Sequence, residues 1–242
     1  MSYKYIYGPV NSRRLGRSLG VDLFPYNICS LDCIYCECGP TKELTLERKE
    51  YVDTGEVLKE LSSYLKENPE LDYITFSGSG EPTLHSGLGK ILKFIKNNFS
   101  QYNTALLTNS TLLNREVREE IKDFDLIVPS LDGISVEAFA KIDRPHLDID
   151  IKEVIENIIS LRREQNGKIW LEIFLVPGIN DNEVEFQLFK KAVKRINPEK
   201  VQLNTLDRPG AISDIKKISR KRIEEIAAFF KKDIKDIEIE IY

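Results

Sequence analysis

No apolar run in the 242-residue sequence approaches the roughly 18–20 residues that cross a bilayer. The opening MSYKYIYGPVNSRR also lacks the apolar core of a secretion signal. Together these absences predict a cytoplasmic protein with no membrane partner. Positive charge is not in excess either: 35 Lys and Arg face 39 Asp and Glu, a net charge of -4. That balance excludes coating nucleic acid by bulk electrostatics, which needs many cations set against phosphates. Two local basic patches remain. Residues 1–21 carry Lys4, Arg13, Arg14 and Arg17 without an acid, and residues 216–222 hold Lys216, Lys217, Arg220, Lys221 and Arg222. The second reads as a solvated rim. Low-complexity segments and linkers are absent, which predicts one domain over residues 1–242. It would comprise a basic leader at 1–20, six βα units over 21–205 and a C-terminal helix with an edge strand at 206–242.

Cysteine is absent outside residues 29–38, where Cys29, Cys33, Cys36 and Cys38 all fall. A disulfide framework staples distant segments of small secreted domains, so such crowding points to a metal centre. Structural zinc usually takes two separated ligand pairs. An iron–sulfur cluster accepts close-set thiolates because its own bulk spreads the ligand positions. The spacing Cys29-x3-Cys33-x2-Cys36 therefore favours a cluster, with zinc as the rival.

From residue 50 onward, short apolar runs alternate with helical periodicity, as in repeated βα units around a parallel sheet. Strands are expected at 72–76, 104–108, 125–128, 169–176 and 200–204, with Gly20–Tyr26 as the first. Six units curve into a partial (β/α)6 TIM-like barrel of the α/β class. The tail Ile237-Glu-Ile-Glu-Ile241 alternates strictly, as a half-exposed edge strand or a strand for a partner would. In such barrels ligands bind beyond the carboxyl ends of the strands. Short polar and glycine-rich runs stand at those positions: Ser77-Gly78-Ser79-Gly80-Glu81-Pro82, Thr108-Asn109-Ser110 and Ser130-Leu131-Asp132-Gly133.

The run Cys29-Ser-Leu-Asp-Cys33-Ile-Tyr-Cys36 resembles the CxxxCxΦC signature of the radical S-adenosylmethionine (SAM) enzymes, with Tyr35 in the aromatic slot. The leader from Tyr7 to Asp22 is similar to the opening of its wyosine-synthase-like subgroup. The resemblance implies that Cys29, Cys33 and Cys36 hold a [4Fe–4S] cluster, whose open iron receives the amino and carboxylate groups of SAM. It further implies reductive cleavage of SAM to a 5′-deoxyadenosyl radical that abstracts hydrogen from a substrate, in a modification enzyme or a glycyl-radical activase. Flavodoxin or ferredoxin would deliver the electron.

Carried over residue by residue, the resemblance gives Gly78, Gly80 and Glu81 a role at the SAM methionine group, although Ser79 stands where the family has glycine. Asn109, Ser130 and Asp132 would meet the ribose and carboxylate, and Val176, from a Val-Pro-Gly segment, the adenine. For substrate, the expected contacts are Arg13, Arg14 and Arg17 of the leader, Arg144, and the same-side pair Gln202 and Asn204. The substrate is expected to be an RNA nucleotide, a protein or peptide, or a small metabolite. The alternative is a cluster- or zinc-binding redox sensor or docking module without SAM chemistry. Cys38 lies outside the signature and reads as a spare thiol beside the cluster. His85 and His146 read as helix-start or surface residues.

Overall fold

The computed structural model describes residues 3–242 except Lys235. Eight strands form one sheet. β1 (Ile6–Ser12) lies antiparallel on β2 (Gly16–Val21), and parallel partners follow in the order β5 (Tyr73–Phe76), β6 (Asn103–Thr108), β7 (Leu126–Pro129), β8 (Lys168–Phe174), β9 (Lys200–Asn204) and β10 (Glu238–Ile241). A two-stranded parallel pair, β3 (Ile28–Cys29) with β4 (Glu43–Leu44), stands apart from it. Helices α1 (Thr54–Leu65), α2 (Leu88–Asn98), α3 (Arg115–Ile121), α4 (Val136–Ile142), α5 (Ile151–Glu164), α6 (Glu183–Ile196) and α7 (Arg220–Asp233) make the crossovers. Most open on a side chain that caps a backbone N–H, such as Asp53 on Glu56, Asn114 on Val117 and Ser219 on Arg222.

The two faces of the sheet separate by chemistry. Alternate residues such as Leu106, Ile127, Leu171, Ile173, Val201 and Leu203 join the apolar core shared with the helices. Their neighbours turn into the barrel lumen. Leu15, Ala105, Leu126 and Val128 pack there with Tyr73, Leu107 and Trp170, and above them sit Glu172, Gln202 and Asn204.

The expected first strand, Gly20–Tyr26, is displaced. β2 spans Gly16–Val21 because its lumen side must be small: Ser18 bonds Thr75 at 2.6 Å, and a Cβ at Gly20 would overlap the Tyr7 ring. Those small residues erase the apolar alternation by which a strand is recognised. The leader is likewise no appendage, since its residues form β1 and the sheet edge. The alternating tail pairs with β9 as a seventh parallel strand, burying Ile239 against α7.

Candidate active site

The cysteine loop leaves β3 at the carboxyl end of the barrel. Three neighbours hold it. The segment 142–146 runs along one side, with Ile34 N donating to Ile142 O at 2.9 Å, Asp32 N to Asp143 O at 3.0 Å and His146 N to Ser30 O at 3.0 Å. The connection between β9 and α7 lies across another: Ile212 N donates to Ile34 O at 3.0 Å, and Gly210 presses so closely on the Tyr35 backbone that a Cβ would stand 2.8 Å from its Cα. Below, Gly80 meets the Ile28 carbonyl and the Phe24 ring, leaving no room for a side chain.

Cys29, Cys33 and Cys36 are half-buried free thiols, and Cys38 is exposed. Asn109 Nδ2 donates to Cys29 Sγ at 3.3 Å and to Ser30 Oγ at 2.9 Å. Cys33 Sγ lies 3.7 Å from Asp143 Oδ1. Burial pushes the Cys29 thiol up to about 12 and raises Cys33 as well. Cys36 is held down to about 7 by its hydrogen bond with Cys38, whose own thiol is raised by the same contact. Cys38 Sγ also donates to Gly78 O at 3.3 Å. Among the described residues, no three His, Cys, Asp or Glu side chains converge on a point suited to a single metal ion. A four-iron cluster separates its thiolates at its corners. Close-set free thiols on one loop are the kind of donor set such a cluster accepts.

The strand-end residues chiefly brace this loop. Glu81 is buried, and both carboxylate oxygens are taken: Oε1 accepts from Thr83 Oγ1 at 2.6 Å and Thr108 Oγ1 at 2.7 Å, Oε2 from Asn109 N at 2.7 Å. It thereby sets the position from which Asn109 reaches Cys29. Ser79 has a physical reason to differ from glycine, since its Oγ donates to Asp22 Oδ2 at 2.6 Å and its N to the same oxygen at 3.0 Å. Gly78, at φ +140°, sits against the same aspartate, where a side chain would collide.

Tyr35 stacks on Phe174 at 3.9 Å and donates its hydroxyl to Asp132, whose other oxygen accepts from Phe174 N at 2.6 Å. Val176 packs in the same apolar cluster as Ile34, Ile142 and Phe174. Asn180 ties the region together. Fully buried, it donates to Asp132 O at 2.8 Å and Phe174 O at 2.7 Å and accepts from Val176 N at 2.7 Å. Its part in the site depends on carbonyls distant in sequence and has no local signature. Asn109, Ser130 and Asp132 meet around a cavity of about 10 Å³, room for a water and no more.

Burial raises the Asp132 carboxyl to about 6 and Asp143 well above its usual range. A carboxyl that binds its proton more tightly folded than unfolded contributes its full stability below about pH 4 and loses it as pH rises through about 6. We expect unfolding free energy to fall between about pH 4 and 6, the Asp132 share being on the order of 3 kcal/mol. Denaturant titrations should show a shallower slope for Asp132→Asn, with the Asp143 share left in place. An unaltered slope would contradict the assignment.

The expected substrate residues divide. Arg13, Arg14 and Asn204 line a cleft of about 530 Å³ together with Tyr35, Cys36, Glu172 and Tyr242. Gln202 lies fully buried beneath it, 3.5 Å from Arg14. Arg17 is not there: it opens β2 at the opposite end of the barrel, 3.8 Å from Glu70. Nor is Arg144, which binds Asp32 O at 2.8 Å and its carboxylate at 3.4 Å and so braces the cysteine loop. His85 stands at the start of α2, as one of its two expected readings had it, and not at the surface. It is buried, with Nε2 2.9 Å from Val52 O and Nδ1 accepting from Gly87 N at 3.0 Å, and its charged form is disfavoured by burial. Glu172 and Tyr242 were not among the expected contacts; a lone glutamate in an apolar strand was the signal for the first.

A family model described as "Radical SAM superfamily" matches residues 23–188. The chain belongs to the radical SAM superfamily. Its members are enzymes that bind a [4Fe–4S] cluster and SAM and use them for radical chemistry. Among relatives, a Brachyspira hyodysenteriae protein named GTPase Obg is 37% identical over 98% of this chain and 35% of its own length. A UPF0026 protein of Methanocaldococcus jannaschii is 34% identical over 93% of this chain and 70% of its own. The chain thus spans about a third of the first and most of the second. It carries no Gly-x4-Gly-Lys-Ser/Thr phosphate loop that would give the first name a basis here. The fold also matches Streptococcus suis SuiB bound to S-adenosylmethionine, with a TM-score of 0.70 at 13% identity over 92% of this chain and 50% of that one. No helix among the described residues is long and apolar enough to cross a membrane.

Proposed function

We propose that this radical SAM protein cleaves SAM reductively and abstracts hydrogen from a substrate held in the cleft beneath the cysteine loop. The observation that carries this reading is the shared wall: Tyr35 and Cys36 of the loop border the same cleft as Arg13, Arg14, Glu172 and Asn204. Cys29, Cys33 and Cys36 would hold the cluster. Bound there, the cluster would supply the one-electron reduction that splits SAM and starts radical hydrogen abstraction. The chain's own part is to fix the loop, keep the site dry and orient the substrate. Asn109 positions Cys29, Glu81 positions Asn109, and the Tyr35–Asp132–Asn180 network holds the loop against the ends of β7 and β8. Flavodoxin or ferredoxin in the cytoplasm would supply the electron. Against an RNA substrate stands the pairing of the partly buried Arg14 with Glu172, which takes one of the leader cations away from phosphate contact.

Anaerobic reconstitution with iron and sulfide, then dithionite and SAM, is expected to yield 5′-deoxyadenosine by chromatography even without substrate. A well-formed cluster that never cleaves SAM would favour a sensor or electron carrier instead.

A further inference from the structure

We infer that the cleft selects a small zwitterion, an α-amino acid or a closely similar amino-carboxylate, as substrate; this rests on the reading above and names its substrate class. The first ground is charge. Three guanidinium groups line the cleft, Arg13, Arg14 and Arg208, and each is answered by an acid of the same wall: Asp207 at 3.0 Å, Glu172 in direct contact, and Glu37 at 3.2 Å. A polyanion would be repelled by the acids beside these cations, and an uncharged ligand would cover the charges without a new partner for either sign. A molecule bearing one charge of each sign can replace an internal ion pair group for group.

The second ground lies at the floor. Arg14 and Glu172 are only partly exposed, 23% and 13% of their side chains. Asn204 Nδ2 donates to Glu172 Oε1 at 3.3 Å and holds that carboxylate in place. Beside them Gln202 is fully buried, and its Nε2 makes no hydrogen bond. A buried amide donor without a partner is rare in folded proteins. The Gln202 Oε1 faces Arg14 at 3.5 Å, and that guanidinium can take a carboxylate while Glu172 beside it takes an ammonium group. The cleft volume, about 530 Å³, lies in the ordinary range for small-molecule sites.

The test requires neither cluster nor turnover. Saturation-transfer NMR and thermal shift on the full chain would be run with the standard L-α-amino acids other than methionine, with propionate and ethylamine as single-charge controls, and with a ten-nucleotide RNA. The expected result is binding of at least one amino acid, roughly 10- to 100-fold tighter than either control, and weakened by a similar factor in Glu172→Gln. The controls keep the test decisive on the unaltered chain should that variant fold poorly. Binding of RNA with no amino acid bound, no binding of any probe, or equal binding of propionate would overturn the inference. SAM cleavage measured separately tells the two failures apart: cleavage without amino acid binding sinks the substrate class alone, and no cleavage sinks the broader reading.

Discussion

Reconstituted Cys33→Ala protein is expected to hold far less iron and sulfide than the parent and to form no detectable 5′-deoxyadenosine from SAM. Cys33 is one of the three thiols of the signature spacing and is packed against the fold, with Asp143 3.7 Å from its sulfur. Cys38 is a poor substitute. It is exposed and tethered to the Gly78 carbonyl at 3.3 Å. Cys38→Ala should therefore leave the iron content close to that of the parent. Iron and sulfide assays with the visible absorption spectrum decide the matter. Equal iron loss in both variants would make Cys38 a ligand, and no loss in Cys33→Ala would remove the three-thiol assignment.

The second large effect is on stability. In Asn180→Ala the Val176 N–H and the carbonyls of Asp132 and Phe174 lose their side-chain partner in a site with no exposed surface. Unpaired buried groups cost about 1–3 kcal/mol each, and partial entry of water lowers the sum, so a total of about 3–5 kcal/mol is expected. At about 2–4 °C per kcal/mol for a chain of this length, the melting temperature should fall by roughly 6–20 °C. Asn180→Asp should not rescue it, because a carboxylate still accepts from Val176 but meets two carbonyls with negative charge. A fall of only a degree or two in Asn180→Ala would show that the network is dispensable.

Much of the fold was legible because its parallel strands are buried on both faces and separated by amphipathic helices. The strand at 200–204 and the helix carrying Ile151, Val154, Ile158 and Leu161 lie where their apolar spacing puts them. The first hairpin was not legible. Ser18 and Gly20 face the lumen, where Thr75 and the Tyr7 ring demand small residues, and β1 owes its strand conformation to β2. Among site residues, the cysteines announce themselves by spacing alone. Arg144 does not: a lone arginine looks the same in sequence whether it faces a substrate or, as here, the Asp32 carbonyl. Glu81 sits where the family pattern puts it, yet its oxygens are occupied by Thr83, Thr108 and Asn109, contacts that exist only once β5 and β6 lie side by side.

The account turns on one iron left open for SAM by a three-cysteine loop. Its most direct test is electron paramagnetic resonance of the reduced, reconstituted protein before and after addition of SAM. The spectrum of the reduced cluster is predicted to change when SAM is added and to stay unchanged when buffer alone is added. A reduced cluster whose spectrum is indifferent to SAM at saturating concentration would contradict the open-iron assignment and leave an electron carrier in its place.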